Sequence, residues 1–128
     1  MIRGSISSAL EATVRLTLRG PLGQRRRITA VIDSGFNGAL TLPSDFIAEL
    51  GLPWVETVEF ELGDGSITEC DSYAGIVVWD RRPISIRLDA ADTTPLVGMQ
   101  LLRGFELRMN VERRGQVTIK PLPRRRRR

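Results

Sequence analysis

An all-β, barrel-like domain of eight to ten short strands with one or two short helices is the fold class this chain predicts. Three observations carry the prediction. Apolar and polar residues alternate in one short run after another, 12 glycines and 7 prolines punctuate those runs, and no segment sustains the periodicity of a long helix. At 128 residues the chain has the length of one ordinary domain.

The elements follow in order. Thr13–Arg19 alternates as a strand, Gly20-Pro21-Leu22-Gly23 supplies turn chemistry, and Arg26–Ile32 extends again. Val31 and Ile32 predict that this second strand is buried on both faces where it reaches Asp33. Ala39–Leu42 reads as another short strand stopped by Pro43. Ser44 is expected to cap a short helix whose apolar face is Phe46, Ile47 and Leu50 and which ends at Gly51. Val58–Leu62, the turn Gly63-Asp64-Gly65-Ser66 and Ile67–Asp71 form a hairpin. Ala74–Trp79 and Ile84–Leu88 form another around Asp80-Arg81-Arg82-Pro83. Pro95–Gly98 is a short buried strand, Met99–Arg103 one helical turn, and Phe105–Val111 with Gln116–Lys120 a last hairpin. Ala30–Gly35 and Thr94–Gly98 each run an apolar strand into a glycine, a weak internal echo.

Charge divides the chain unevenly. The formal net charge is +4, yet five of the 19 basic residues are Arg124, Arg125, Arg126, Arg127 and Arg128, which leaves 14 basic against 15 acidic side chains. Residues 1–121 are expected to form the domain and 122–128 a basic, disordered tail. Nucleic acid is not expected as a partner beyond that tail, since Tyr73 is the one tyrosine and no basic–aromatic stripe is visible.

The chain contains no histidine, which excludes Ser–His and Cys–His catalysis and His-ligated zinc. No cofactor or metal is expected. Cys70 stands alone and has no histidine to activate it, so it is read as a small, partly buried strand residue. With no apolar run of about 18 residues, the chain is expected to be cytoplasmic and away from membranes. Trp54 and Trp79 are expected as core or interface anchors, and Asp64, Asp89 and Asp92 as turn residues.

The chemistry left open is that of carboxylates, and one is conspicuously placed. Val31-Ile32-Asp33-Ser34-Gly35 is a strand delivering an acid into a tight turn. Together with Pro95-Leu96-Val97-Gly98-Met99-Gln100-Leu101-Leu102 and the intervening glycine hairpin, it resembles the retropepsin-like aspartic proteases, including their small bacterial members. The likeness runs from about Val14 to Ile119. The tripeptide alone is a weak signal; three features in the right order are a stronger one.

The resemblance implies a closed barrel and an aspartic endopeptidase. Two carboxylates about 3 Å apart cannot both ionise, so they share a proton, one acting as base on water and the other as acid on the peptide carbonyl. The chain has one such loop, since Asp71-Ser72 is followed by Tyr73 and not by glycine. The resemblance therefore implies a homodimer with Asp33 from each subunit at the two-fold axis. Ser34 would hydrogen-bond to the partner loop, and Gly35 would let the backbone approach. Gly63, Asp64, Gly65 and Ser66 would form a flap over an extended peptide substrate.

Phe36, Asn37 and Met99 depart from the retroviral pattern, in which an acid after the glycine pairs with an arginine in the second signature. Both partners of that ion pair are missing together, which leaves the fold unharmed but changes the pocket beside Asp33. Phe36 and Asn37 are candidate pocket residues, with packing and turn roles as the alternative. The competing function is a catalytically silent module of the same fold that binds peptides or dimerises.

Overall fold

The computed structural model describes residues 1–124 of the chain. Residues 125–128, within which most of the expected disordered tail falls, lie outside the described residues. Most of the described chain is β-structure with two short helices. In chain order the elements are β1 (Ile2–Ile6), β2 (Ala12–Arg19), β3 (Arg25–Ile32), β4 (Leu40–Leu42), α1 (Ser44–Leu50), β5 (Trp54–Glu61), β6 (Ile67–Trp79), β7 (Arg82–Ala90), β8 (Leu96–Val97), α2 (Met99–Leu102), β9 (Phe105–Met109) and β10 (Gln116–Pro121). The strands join in the order β5-β6-β7-β4-β8-β3-β2-β1-β10-β9, and β6 also pairs with β2 through Thr17↔Val78, Leu18↔Val77 and Arg19↔Ile76.

Period-two alternation builds the core. β2 turns Val14, Leu16 and Leu18 inward, β3 contributes Ile28 and Ala30, and β10 contributes Val117 and Ile119. These side chains, Val117 excepted, meet Leu40, Leu42, Val77, Leu88 and Val97 in one cluster, which α1 closes with Ile47 and Leu50 and α2 with Leu101 and Leu102. Each fully buried aliphatic side chain stabilises the fold by about 1.5–3 kcal/mol. β4 is buried on both sides, and its one polar residue, Thr41, satisfies its hydroxyl by accepting a 2.9 Å bond from Leu96 N.

Several sequence expectations need correction. β3 is not buried on both faces: it alternates, and Val31, Ile32 and Asp33 are only partly covered. Ser44 does not cap α1. Pro43 occupies the cap position without a side-chain bond, and the acceptor for Ser44 N is Asp92 Oδ1 at 2.9 Å, brought in from a distant segment. Asp92 is therefore more than a turn residue, and its bonds to Ser44 hold its carboxyl below the ordinary carboxylate range.

The runs Ile67–Asp71 and Ala74–Trp79 are one strand of 13 residues, because Ser72 and Tyr73 pair with β5 and β7 at once. Asp80 and Arg81 both have positive φ, 49° and 69°, so the β6–β7 turn needs only these two residues, and Arg82 and Pro83 belong to the strand. β1 is an addition that the sequence reading lacked. Trp79 is buried edge-on against Phe105, with centroids 5.8 Å apart, whereas Trp54 is 59% exposed and is no core anchor.

Candidate active site

The Asp33 turn is held at both ends by the same two-residue strand. β8 lies between β3 and β4, parallel to the first through Val31↔Leu96 and Ile32↔Val97 and antiparallel to the second through Leu40↔Val97. Val31 N donates to Pro95 O at 2.8 Å and Asp33 N to Val97 O at 2.9 Å. On the far side of the turn Gly98 N reaches Ala39 O at 2.9 Å, Met99 N reaches Phe36 O at 2.8 Å and Gln100 N reaches Gly38 O at 3.1 Å. The second sequence element thus clamps the first, which explains why an apolar pair, a glycine and a helical turn are needed there.

Gly98 makes the clamp sterically possible. A Cβ at this position would lie 2.1 Å from Gly38 O and 2.6 Å from Phe36 Cδ2, so only a residue without a side chain fits. Phe36 packs its ring against Gly98 and Gly38, which assigns it a packing role in the turn. Asn37 is exposed beside it.

Within the turn Gly35 N donates to Asp33 Oδ1 at 2.9 Å and Phe36 N to Asp33 O at 3.1 Å. The carboxylate is thereby aimed by its own backbone, as acidic residues in tight turns commonly are. Among the described residues Asp33 Oδ2 has no hydrogen-bond partner. Asp33 is half-buried, while Ser34 and Gly35 are exposed and Ser34 makes no side-chain hydrogen bond among the described residues. A half-buried acid with one free oxygen beside an exposed hydroxyl and glycine can accept a proton from water or meet a second carboxylate.

The residues of the predicted flap form a hydrogen-bonded tip of their own. Between β5 and β6 the tip closes through Leu62 N to Ser66 O at 2.8 Å and Gly65 N to Leu62 O at 2.9 Å, with Gly65 at φ +84°. Asp64 Oδ1 accepts Ser66 Oγ at 2.6 Å and Ser66 N at 2.9 Å, and these bonds hold its carboxyl below the ordinary range. Residues Glu61 to Glu69 are all exposed, and a Cβ on Gly63 or Gly65 would meet nothing. Among the described residues no hydrogen bond joins this tip to the Asp33 turn.

One acid beside the site escaped the sequence reading. Asp89 is no turn residue: it lies in β7 opposite both Thr41 and Ser72, and its Oδ1 accepts a 2.9 Å bond from the fully buried Ser72 hydroxyl. Its Oδ2 lies beside Gly38, 3.1 Å from where a Cβ on that glycine would stand, and both residues line a cleft of about 380 Å³ together with Arg87 and Gln100. The continued alternation of Ile84–Leu88 was the available signal for a longer strand. The Ser72 partner was not readable locally. Cys70, part-buried as expected, places its Sγ 3.4 Å from Ala90 O, and burial with the nearby Asp89 charge pushes its thiol up, away from nucleophilic use.

The chain matches no known family model and no curated protein. Among the described residues no helix is long and apolar enough to cross a membrane.

Proposed function

We propose that this protein is a cytoplasmic aspartic endopeptidase of retropepsin type, active as a homodimer in which the Asp33 carboxylates of two copies share one proton. The reading rests above all on the clamped Asp33 turn, with Oδ2 free and Ser34 and Gly35 exposed at the surface where a symmetric partner would sit. The resemblance of the two sequence elements supports it, as does their pairing through β8. The hydrogen-bonded path β6–β7–β4–β8–β3–β2 that returns to β6 supports a closed barrel of six strands.

In this scheme the ionised carboxylate takes a proton from water as the water oxygen bonds to the peptide carbonyl carbon. The protonated carboxyl gives its proton to the carbonyl oxygen. Collapse of the resulting gem-diol breaks the C–N bond, the nitrogen receives a proton, and the pair returns to its shared-proton state. The exposed β5–β6 hairpin closes over an extended peptide, and its backbone groups hydrogen-bond the substrate as an added strand does.

The test combines mass with chemistry. Light scattering should give a dimer, and mass spectrometry of a peptide library incubated between about pH 3 and 7 should show products with a bell-shaped pH profile. Asp33→Asn should retain the dimer and lose cleavage. If parent and variant give the same peptide pattern, the catalytic reading falls; peptide binding without products, unchanged in the variant, would instead identify a silent binding module.

A further inference from the structure

The register of β9, β10, β1, β2 and β3 gathers on one outer face a set of cations that the linear sequence disperses. Residues directly opposite across antiparallel strands share a face. Arg108 lies opposite Thr118, Thr118 opposite Arg3, and Lys120 opposite Glu106. Ser5 links β1 to Thr13 of β2, and along β2–β3 the pairs Arg15↔Thr29, Thr17↔Arg27 and Arg19↔Arg25 continue the same side. The opposite side of these strands is the one that buries Val14, Leu16, Leu18, Ile28, Val117 and Ile119.

This face therefore carries Arg3, Arg15, Arg19, Arg25, Arg27, Arg108 and Lys120, half of the 14 basic residues outside the terminal arginine run, against Glu106 as its one acid. Glu106 pairs with Lys120 at 3.8 Å, and none of the six arginines has a carboxylate partner among the described residues. Arg19 and Arg25 stand directly opposite each other, an arrangement unfavourable to folding that the fold retains. Two shallow depressions, of about 290 and 380 Å³, adjoin at Arg3 and make the surface continuous from β9 to β3. The other positions on it are mostly hydroxyls and amides, among them Ser5, Thr17, Gln116 and Thr118.

We infer that this face binds the phosphate backbone of a double-helical nucleic acid. Unpaired arginines interspersed with Ser, Thr, Asn and Gln are the side chains that contact phosphates. Five strands span about 20 Å, comparable with about six base-pair steps of a duplex. Among the described residues the face has no aromatic side chain on which an unpaired base could stack, and Met1, at the rim of the depression around Arg3, is its one large exposed apolar residue, too little to anchor a bilayer. The inference is independent of Asp33 and of any proteolytic activity.

Fluorescence anisotropy of the full chain with a labelled duplex of about 20 base pairs, two helical turns, tests it across about 50–200 mM salt. Binding that weakens with a log–log slope of about −4 to −5, corresponding to roughly five phosphates, is expected. A chain lacking Arg124 to Arg128 should still bind. The triple variant Arg3→Gln/Arg15→Gln/Arg108→Gln should lose at least about tenfold in affinity at the lower salt and flatten the slope by about 2–3. Arg82→Gln/Arg87→Gln, on β7, should bind like the parent. Should the triple variant fail to fold by circular dichroism, Arg25→Gln/Arg27→Gln makes the same comparison. Loss of all binding with the arginine tail, an affinity unaffected by the face variants, equal competition by polyglutamate, or binding to phosphatidylserine vesicles in place of the duplex would each overturn the inference.

Discussion

Replacing Gly98 by alanine tests whether the Asp33 turn is held as closely as the structure describes. The new methyl carbon would lie 2.1 Å from Gly38 O, 2.6 Å from Phe36 Cδ2 and 2.7 Å from Phe36 O, and two of these three neighbours are backbone atoms. Ordinary contact begins at 3.4 Å, so the turn and α2 must separate by about 1.3 Å. That movement carries the Met99 N–Phe36 O and Gln100 N–Gly38 O bonds, now 2.8 and 3.1 Å, beyond hydrogen-bonding range. Two lost backbone bonds cost about 0.5–1.5 kcal/mol each, and crowding a packed site costs about 1–3 kcal/mol. The expected loss is about 2–6 kcal/mol, a large fraction of the roughly 5–15 kcal/mol that holds a domain together.

Urea unfolding followed by tryptophan fluorescence reads this loss, since Trp79 is buried against Phe105. The midpoint should fall by about 1 M or more with an unchanged slope. Gly63→Ala is the matched control: nothing lies near its Cβ position, and its stability should change by less than about 0.5 kcal/mol. A Gly98→Ala midpoint indistinguishable from the control would refute the clamp, and with it the argument that Asp33 is rigidly placed.

Two further outcomes follow from polar contacts. Asp92→Ala should lower the urea midpoint at neutral pH, because Asp92 Oδ1 supplies the acceptor at the start of α1. Since folding depresses this carboxyl below its usual value, its contribution is present above the ordinary carboxylate range and fades as pH falls through the folded value; the gap between parent and variant should narrow in acid. Ser72→Ala removes the buried hydroxyl that donates to Asp89 Oδ1 and should cost about 1.5–3 kcal/mol by the same unfolding assay. A Ser72→Ala protein as stable as the parent would show that Asp89 does not depend on that bond.

What could be read from the chain alone is what short stretches of residues specify locally. Alternation in Thr13–Arg19 marks a strand, because burying one face of a pleated strand needs a period of two. Val31-Ile32-Asp33-Ser34-Gly35 announced an acid delivered into a turn, since its strand and turn chemistry lie in adjacent residues. The tertiary structure alone decided what depends on register and on distant partners. Two strands, β5 and β7, share the middle of β6 and make it continuous, which neither half of its sequence discloses. Asp92 caps α1 from 48 residues away, and Ser72 fixes Asp89 from another strand. The arginines of the outer face are scattered from Arg3 to Arg108, and it is the ladder of five strands that converts their scattered positions into one field of positive charge. Backbone hydrogen bonding sets that ladder through contacts across the whole chain, so no local pattern carries it.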